Sequence, residues 1–229
     1  LYVAASDPEG IMLVAPSDHT VRDVSAFKQA IEQGLGAVED GRLVTFGITP
    51  ERAETGYGYL ELPARPDGSG SPVGLKRFVE KPDAARVSDM LAAGKFLWNA
   101  GIFLFRASDM LAAFQAHAPD IIDPVMRALK HAKTDLGFLR LDPGAWGELE
   151  DISIDYAVME HAENLSVVPF DGGWADLGDW DSVWREIGPD QTGVATSGNA
   201  SAIDCVNTLL RSEDDRLEVV GIGLDGIVA

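Results

Sequence analysis

Ile11-Met12-Leu13-Val14-Ala15-Pro16-Ser17-Asp18-His19 decides the fold class. Five apolar residues stopped by a proline read as a buried central strand, and a polar cluster follows its end. Beyond it, Val24, Phe27, Ile31, Leu35 and Val38 fall in steps of three and four, one stripe of a helix that closes before Gly41. Leu43-Val44-Thr45-Phe46-Gly47-Ile48 is a second buried strand. The stripe is expected to pack on the sheet carrying Met12, Val14 and Phe46. Strand, polar loop, helix and strand together predict an α/β layered domain. In such sheets ligands bind beyond the carboxyl ends of the strands, which places Asp18 and His19 well for a ligand, although such a cluster taken alone is more often a turn or a helix cap.

Downstream the alternation continues. Gly56 to Leu62 and Val73 to Val79 read as strands joined by a Pro/Gly/Ser-rich loop, and Ala84 to Ala93 as a helix stopped by Gly94. Gly101 to Phe105 reads as a strand and Ser108 to His117 as a helix, with another after Pro119. Ser153 to His161 is expected to be helical, Ser166 to Phe170 extended, and Asp181 to Ile187 a short helix. This order predicts a mostly parallel mixed sheet. From Gly193 to Ile203 the chain is small, polar and without helical period, and Leu217 to Ile227 holds two short β-like runs. Residues 1–190 are therefore expected to form one domain and residues 191–229 the start of a small β-rich one.

The chain has 229 residues, 46% of them hydrophobic, and a net charge of −19. That is enough apolar material for a core. Such acidity argues against nucleic acid, whose binding depends on Lys and Arg, and against anionic membrane surfaces. The single Cys205 excludes an internal disulfide framework and fits a reducing, cytoplasmic setting. No zinc spacing, no G-x-S-x-G elbow, no G-x-x-x-x-G-K-[ST] loop and no G-x-G-x-x-G fingerprint occurs.

Four further clusters stand beside strands. In Glu54-Thr55-Gly56-Tyr57-Gly58-Tyr59 a glycine lets the backbone approach a ligand, and a tight hairpin with packed tyrosines explains it equally well. In Phe78-Val79-Glu80-Lys81-Pro82 the ammonium suits a phosphate and the carboxylate accepts from hydroxyls, although an ion pair at the surface has the same sequence. Neighbouring strand residues face opposite ways, so Glu80 and Lys81 converge only where the strand ends or bulges before Pro82. Trp98-Asn99-Ala100-Gly101 offers an amide at what reads as a turn leading into a strand. Gly172-Gly173-Trp174-Ala175-Asp176-Leu177-Gly178-Asp179-Trp180 is an acidic loop in which Asp179 reads as a helix cap. Asp18 and Asp176 could each offer a hard oxygen at a strand end, and they are expected to approach one another at the carboxyl edge of the sheet around a shared Mg²⁺.

Taken in order, these clusters and Ser153-Ile154-Asp155-Tyr156-Ala157-Val158-Met159-Glu160 resemble the mannose-1-phosphate guanylyltransferase family, from about Leu13 onward. The resemblance implies a Rossmann-like nucleotidyltransferase domain followed by the start of a left-handed β-helical segment. It implies transfer from GTP to mannose 1-phosphate, giving GDP-mannose and pyrophosphate for polysaccharide synthesis. It assigns Mg²⁺ to Asp18 and Asp176, the sugar phosphate to Lys81, and sugar hydroxyls to Gly58, Glu80 and Asn99. It leaves a homo-oligomer open.

Three departures qualify it. The family's glycine-rich nucleotide loop does not precede Ile11, so nucleotide-binding residues are unassigned and the chain is expected to be an internal piece of a longer protein. The family's Asn-Ser-Gly is Asn99-Ala100-Gly101 here, and these 229 residues hold no sequence for the cupin-type isomerase domain that many bacterial relatives carry. Transfer to another sugar 1-phosphate or from another nucleotide base, and a non-catalytic sugar-nucleotide sensor, are the competing readings; retention of Asp18, Lys81 and Asp176 favours the enzyme.

Overall fold

Phe96–Arg106, an 11-residue strand buried along nearly its whole length, is the axis of the main sheet in the computed structural model, which describes residues 1–229. Trp98 pairs with Ile48 on one side and Tyr59 on the other, and Leu104 pairs with Val44 and Leu13. Strand Leu43–Ile48 therefore runs along one edge, while Tyr59–Glu61 and Ile11–Val14 share the opposite edge. Leu165–Pro169 and then Val73–Gly74 extend the first side, and Arg77–Val79 extends the second. This unit comprises Leu1–Pro16 and Asp23–Gly172.

The sheet is mixed, as expected, but the expectation that it is mostly parallel is corrected. Only Leu165–Pro169 with Leu43–Ile48 is parallel; the other pairings are antiparallel. Parallel neighbours need a crossover, and no helix occurs between Leu43 and Val79. Strand Ile11–Val14 also departs from its expected central place. It is an edge strand with Ile11, Leu13 and Val14 exposed, because an apolar run does not say what will cover it.

Helix Val24–Glu39 starts where the stripe predicts, with the Asp23 carboxylate accepting from the Ala26 N–H. Its buried positions are Ala30, Gly34 and Val38, while Val24 in the first turn is exposed. The Phe27 ring lies 5.8 Å from that of Phe46 and 5.6 Å from that of Phe170. Gly34 permits close approach, since a Cβ there would stand 3.1 Å from Leu104 Cδ2. Phe46 thus faces this helix. Met12 instead packs with Leu43, Phe103 and Phe105 on the other side of the sheet, as the two-residue strand period requires. Helix Ala84–Ala93 runs between its Asp83 cap and Gly94 at φ 64°, matching expectation.

The second unit comprises Ser17–Arg22 and Gly173–Ala229. Thr20–Val21 pairs antiparallel with Trp174–Ala175. Helix Trp180–Ile187 is capped by Asp179, whose carboxylate accepts from the Ser182 N–H at 2.7 Å, as read from sequence. After it, Val194–Ser197 pairs parallel with Thr208–Arg211, and Ala200–Ile203 parallel with Val219–Ile222. Further parallel bridges join Val206 to Asp225 and Leu209 to Val228. No helix is long and apolar enough to cross a membrane.

Candidate active site

In the first unit, three separate strands bring Gly58, Glu80 and Asn99 together. Asn99 sits inside Phe96–Arg106 and not in a turn before it, because the strand begins at Phe96 and continues past a bulge at Gly101, whose φ is 68°. Its N–H donates to Gly58 O at 2.8 Å. A Cβ on Gly58 would stand 2.5 Å from Glu80 Oε2 and 3.3 Å from Asn99 Cβ, so the glycine leaves the space that Glu80 fills. Tyr59 is fully buried and donates its hydroxyl to Glu54 O at 2.8 Å. Tyr59 thus packs in the core, and the space a Gly58 side chain would need is taken by Glu80.

Glu80 and Lys81 converge because the strand ends at Val79 and Lys81 turns into the left-handed region at φ 45°. Lys81 Nζ reaches Glu80 Oε1 at 3.5 Å, with the Lys81 side chain 57% exposed and that of Glu80 only 9%. Burial raises the Glu80 carboxyl above its ordinary value; the Asp155 charge adds to this and Lys81 opposes it. Burial likewise raises Asp155, opposed by its own backbone N–H, by Asn99 and by Lys81.

Asp155 and Glu160 belong to this cluster, and neither received an individual role from the sequence. The Asn99 Nδ2 donates to Asp155 Oδ1 at 3.1 Å, and the Glu80 N–H donates to Glu160 Oε1 at 2.8 Å. The reason for the omission is the winding. In an α-helix, residues five apart stand about 140° apart around the axis. Here Asp155–Met159 is a π-turn, and the Glu160 N–H donates to Asp155 O at 3.0 Å, so both carboxylates lie on one side. Two acids five residues apart after Ser153 were the available signal.

In the second unit, Ala175 pairs with Thr20 and Trp174 with Val21. Asp176 directly follows Ala175, and Asp18 stands two residues before Thr20, so both adjoin one end of a two-stranded ribbon. The Trp174 Nε1–H donates to His19 Nδ1 at 3.3 Å and the rings meet edge-on at 5.4 Å, so His19 packs here. A Cβ on Gly178 would stand 2.8 Å from Asp176 Oδ2, so the glycine lets the loop pass close to that carboxylate. Two hard carboxylates suit Mg²⁺, which is held by one or two such groups together with substrate phosphates.

A family model described as nucleotidyl transferase matches residues 2–192. The chain is 43% identical over 218 residues to the xanthan biosynthesis protein XanB of Xanthomonas campestris, covering 95% of this chain and 45% of that protein. It is 36% identical over 219 residues to a mannose-1-phosphate guanylyltransferase of Escherichia coli K12, with the same 95% and 45% shares. Among solved structures, one described as a mannose-1-phosphate geranyltransferase from Thermus thermophilus superposes with a TM-score of 0.82 at 31% identity, covering 99% of this chain and 64% of that one. The chain spans under half the length of the curated relatives it matches. The ordered motifs, the mixed sheet and a family match over most of its length agree: this chain belongs to the nucleotidyl transferase family.

Proposed function

We propose that the chain carries the nucleotidyl-transfer activity of a mannose-1-phosphate guanylyltransferase. The phosphate oxygen of mannose 1-phosphate attacks the α-phosphorus of GTP, the bond to the β-phosphate oxygen breaks, and pyrophosphate leaves with GDP-mannose formed. Such transfer is mainly positioning and charge neutralisation, which an acidic protein achieves with a cation and a few well-placed side chains. The observation that carries this reading is the gathering of Gly58, Glu80, Lys81 and Asn99 from separate strands. Lys81 offers a compact positive charge to the sugar phosphate. Glu80 accepts from sugar hydroxyls, and Asn99 both donates and accepts. Asp18 and Asp176 would hold Mg²⁺, which supplies neutralisation of phosphate charge when bound.

Relatives named for xanthan and alginate biosynthesis support a product used in polysaccharide assembly, and phosphorylated substrates suit a cytoplasmic location. We read residues 1–190 as the catalytic core and 191–229 as the start of a left-handed β-helical segment. The parallel stacking of successive passes of the chain supports the latter.

Pyrophosphate release by the intact protein tests the function directly. GTP with mannose 1-phosphate should support it, and other base or sugar pairs should support it far less. Preference for another sugar 1-phosphate would move the assignment to that substrate. Binding of GDP-mannose without any turnover would establish the sensing subunit instead.

A further inference from the structure

We propose that Thr45, Asp155 and Glu160 are positioning residues that set the sugar-contacting groups Asn99 and Glu80 from behind. This inference rests on the functional reading above. Thr45 Oγ1 lies 2.8 Å from Asn99 Oδ1 and 3.1 Å from Ile102 O, and Asp155 Oδ1 accepts from Asn99 Nδ2 at 3.1 Å. An ionised carboxylate only accepts, so the Asn99 amide must turn its NH₂ toward Asp155 and its oxygen toward Thr45. That orientation assigns the single Thr45 proton to Asn99. It leaves one Nδ2 hydrogen and one Oδ1 lone pair, a matched donor and acceptor for a sugar hydroxyl. Thr45 is 1% exposed, so this half of the clamp is held by the core.

Glu160 acts on the neighbouring group. It takes the Glu80 N–H just past strand Arg77–Val79, at the point where the chain turns toward the left-handed Lys81. Because a single π-turn presents both Asp155 and Glu160, one local winding sets the amide and the Glu80–Lys81 turn together.

Steady-state kinetics of the intact enzyme test this. Asp155→Ala should raise KM for mannose 1-phosphate roughly tenfold, as expected for loss of one hydrogen bond to a charged group, with KM for GTP nearly unchanged. Asp155→Asn retains an acceptor oxygen and should recover most of that loss. In an Asn99→Ala background, Asp155→Ala should add almost nothing, because the two act as one unit. Glu160→Ala should behave like Asp155→Ala, and Glu160→Gln should rescue it. If Asp155→Ala does not fold, Thr45→Val, which removes the opposite half of the clamp, carries the same expectation. Additive effects of Asn99→Ala and Asp155→Ala, or equal rises in both KM values, overturn the positioning role and leave the sugar-phosphate site standing. Unchanged KM for mannose 1-phosphate in both Asn99→Ala and Lys81→Ala overturns the site itself and this proposal with it.

Discussion

The Glu80 carboxylate occupies the place a side chain on Gly58 would need, with Oε2 2.5 Å from where that Cβ would stand. The Glu80 side chain is largely buried, and the same Cβ would also stand 3.2 Å from Phe78 Cζ and 3.3 Å from Asn99 Cβ. Gly58→Ala should therefore displace Glu80. We expect destabilisation of about 1–3 kcal/mol, as for other overpacked sites, measured by urea unfolding. Sugar 1-phosphate affinity should fall while GTP affinity is kept. Ordinary mannose 1-phosphate binding by the Gly58→Ala protein would remove Gly58 from the site.

Lys81 separates function from backbone strain. At φ 45° a residue with a Cβ is disfavoured by about 1–2 kcal/mol, and glycine is not. Lys81→Gly and Lys81→Ala should both raise KM for mannose 1-phosphate far more than KM for GTP. Lys81→Gly should nonetheless be the more stable of the two, by about 1 kcal/mol in urea unfolding. Lys81→Arg should restore only part of the activity, because a planar fork does not replace a compact charge. Equal losses for both substrates would return Lys81 to an ordinary ion pair with Glu80.

Much of this was legible in the sequence, for physical reasons that differ from element to element. Helix Val24–Glu39 was readable because its stripe and its Asp23 cap are local signals. Strand Leu43–Ile48 was readable as a buried apolar run, but the direction of its partners was not, because burial on both faces erases the alternation that marks antiparallel pairing. The strand around Asn99 was cut short because Asn99 and Gly101 look like a turn; Thr45 and Gly58 show instead that the amide is held within the ladder. Asp155 and Glu160 were visible only as part of a motif, since their shared facing depends on a π-turn that helical periodicity does not describe.

Phe27 tests the layer between helix Val24–Glu39 and the sheet. It contacts Phe46 and Phe170 edge-on or tilted and is only partly covered. Phe27→Ala should destabilise by about 3 kcal/mol, the lower end for such truncations, and Phe27→Leu by less. Val24→Ala, at the exposed first turn of the same stripe, should change stability by about 0.5 kcal/mol or less. Chemical denaturation of the three variants checks the order; equal losses at Phe27 and Val24 would contradict the packing described.

Asp18 and Asp176 lie at one end of the ribbon formed by Thr20–Val21 and Trp174–Ala175. Asp176→Asn should abolish turnover and Mg²⁺ dependence while leaving the circular dichroism spectrum unchanged. Asp18→Asn should do the same, and the double variant should be no worse than either, because both carboxylates serve one ion. Full activity of Asp176→Asn at ordinary Mg²⁺ concentrations would end the assignment.

The carboxyls of Glu80 and Asp155 give the fold a pH dependence whose sign can be worked out. Burial raises both above the values they have in the unfolded chain; Glu160 adds repulsion to each, and Lys81 relieves part of it. A carboxyl raised in the folded state penalises folding once ionised, so the penalty is fully present above the folded pKa and fades as pH falls through it. Asp155→Asn removes one such charge but keeps an acceptor for Asn99, and should raise the melting temperature at pH 7. That gain should shrink as pH falls through the raised folded value toward the ordinary carboxylate range. Glu61 has the opposite sign: the hydrogen bond from Lys95 lowers its carboxyl despite burial, so its stabilisation is lost in acid, in wild type and variant alike. The difference between the two melting curves isolates the Asp155 contribution. Parallel curves from pH 7 down to pH 4 would show that the cluster is not strained by charge, and would leave Asp155 only its hydrogen bond to Asn99.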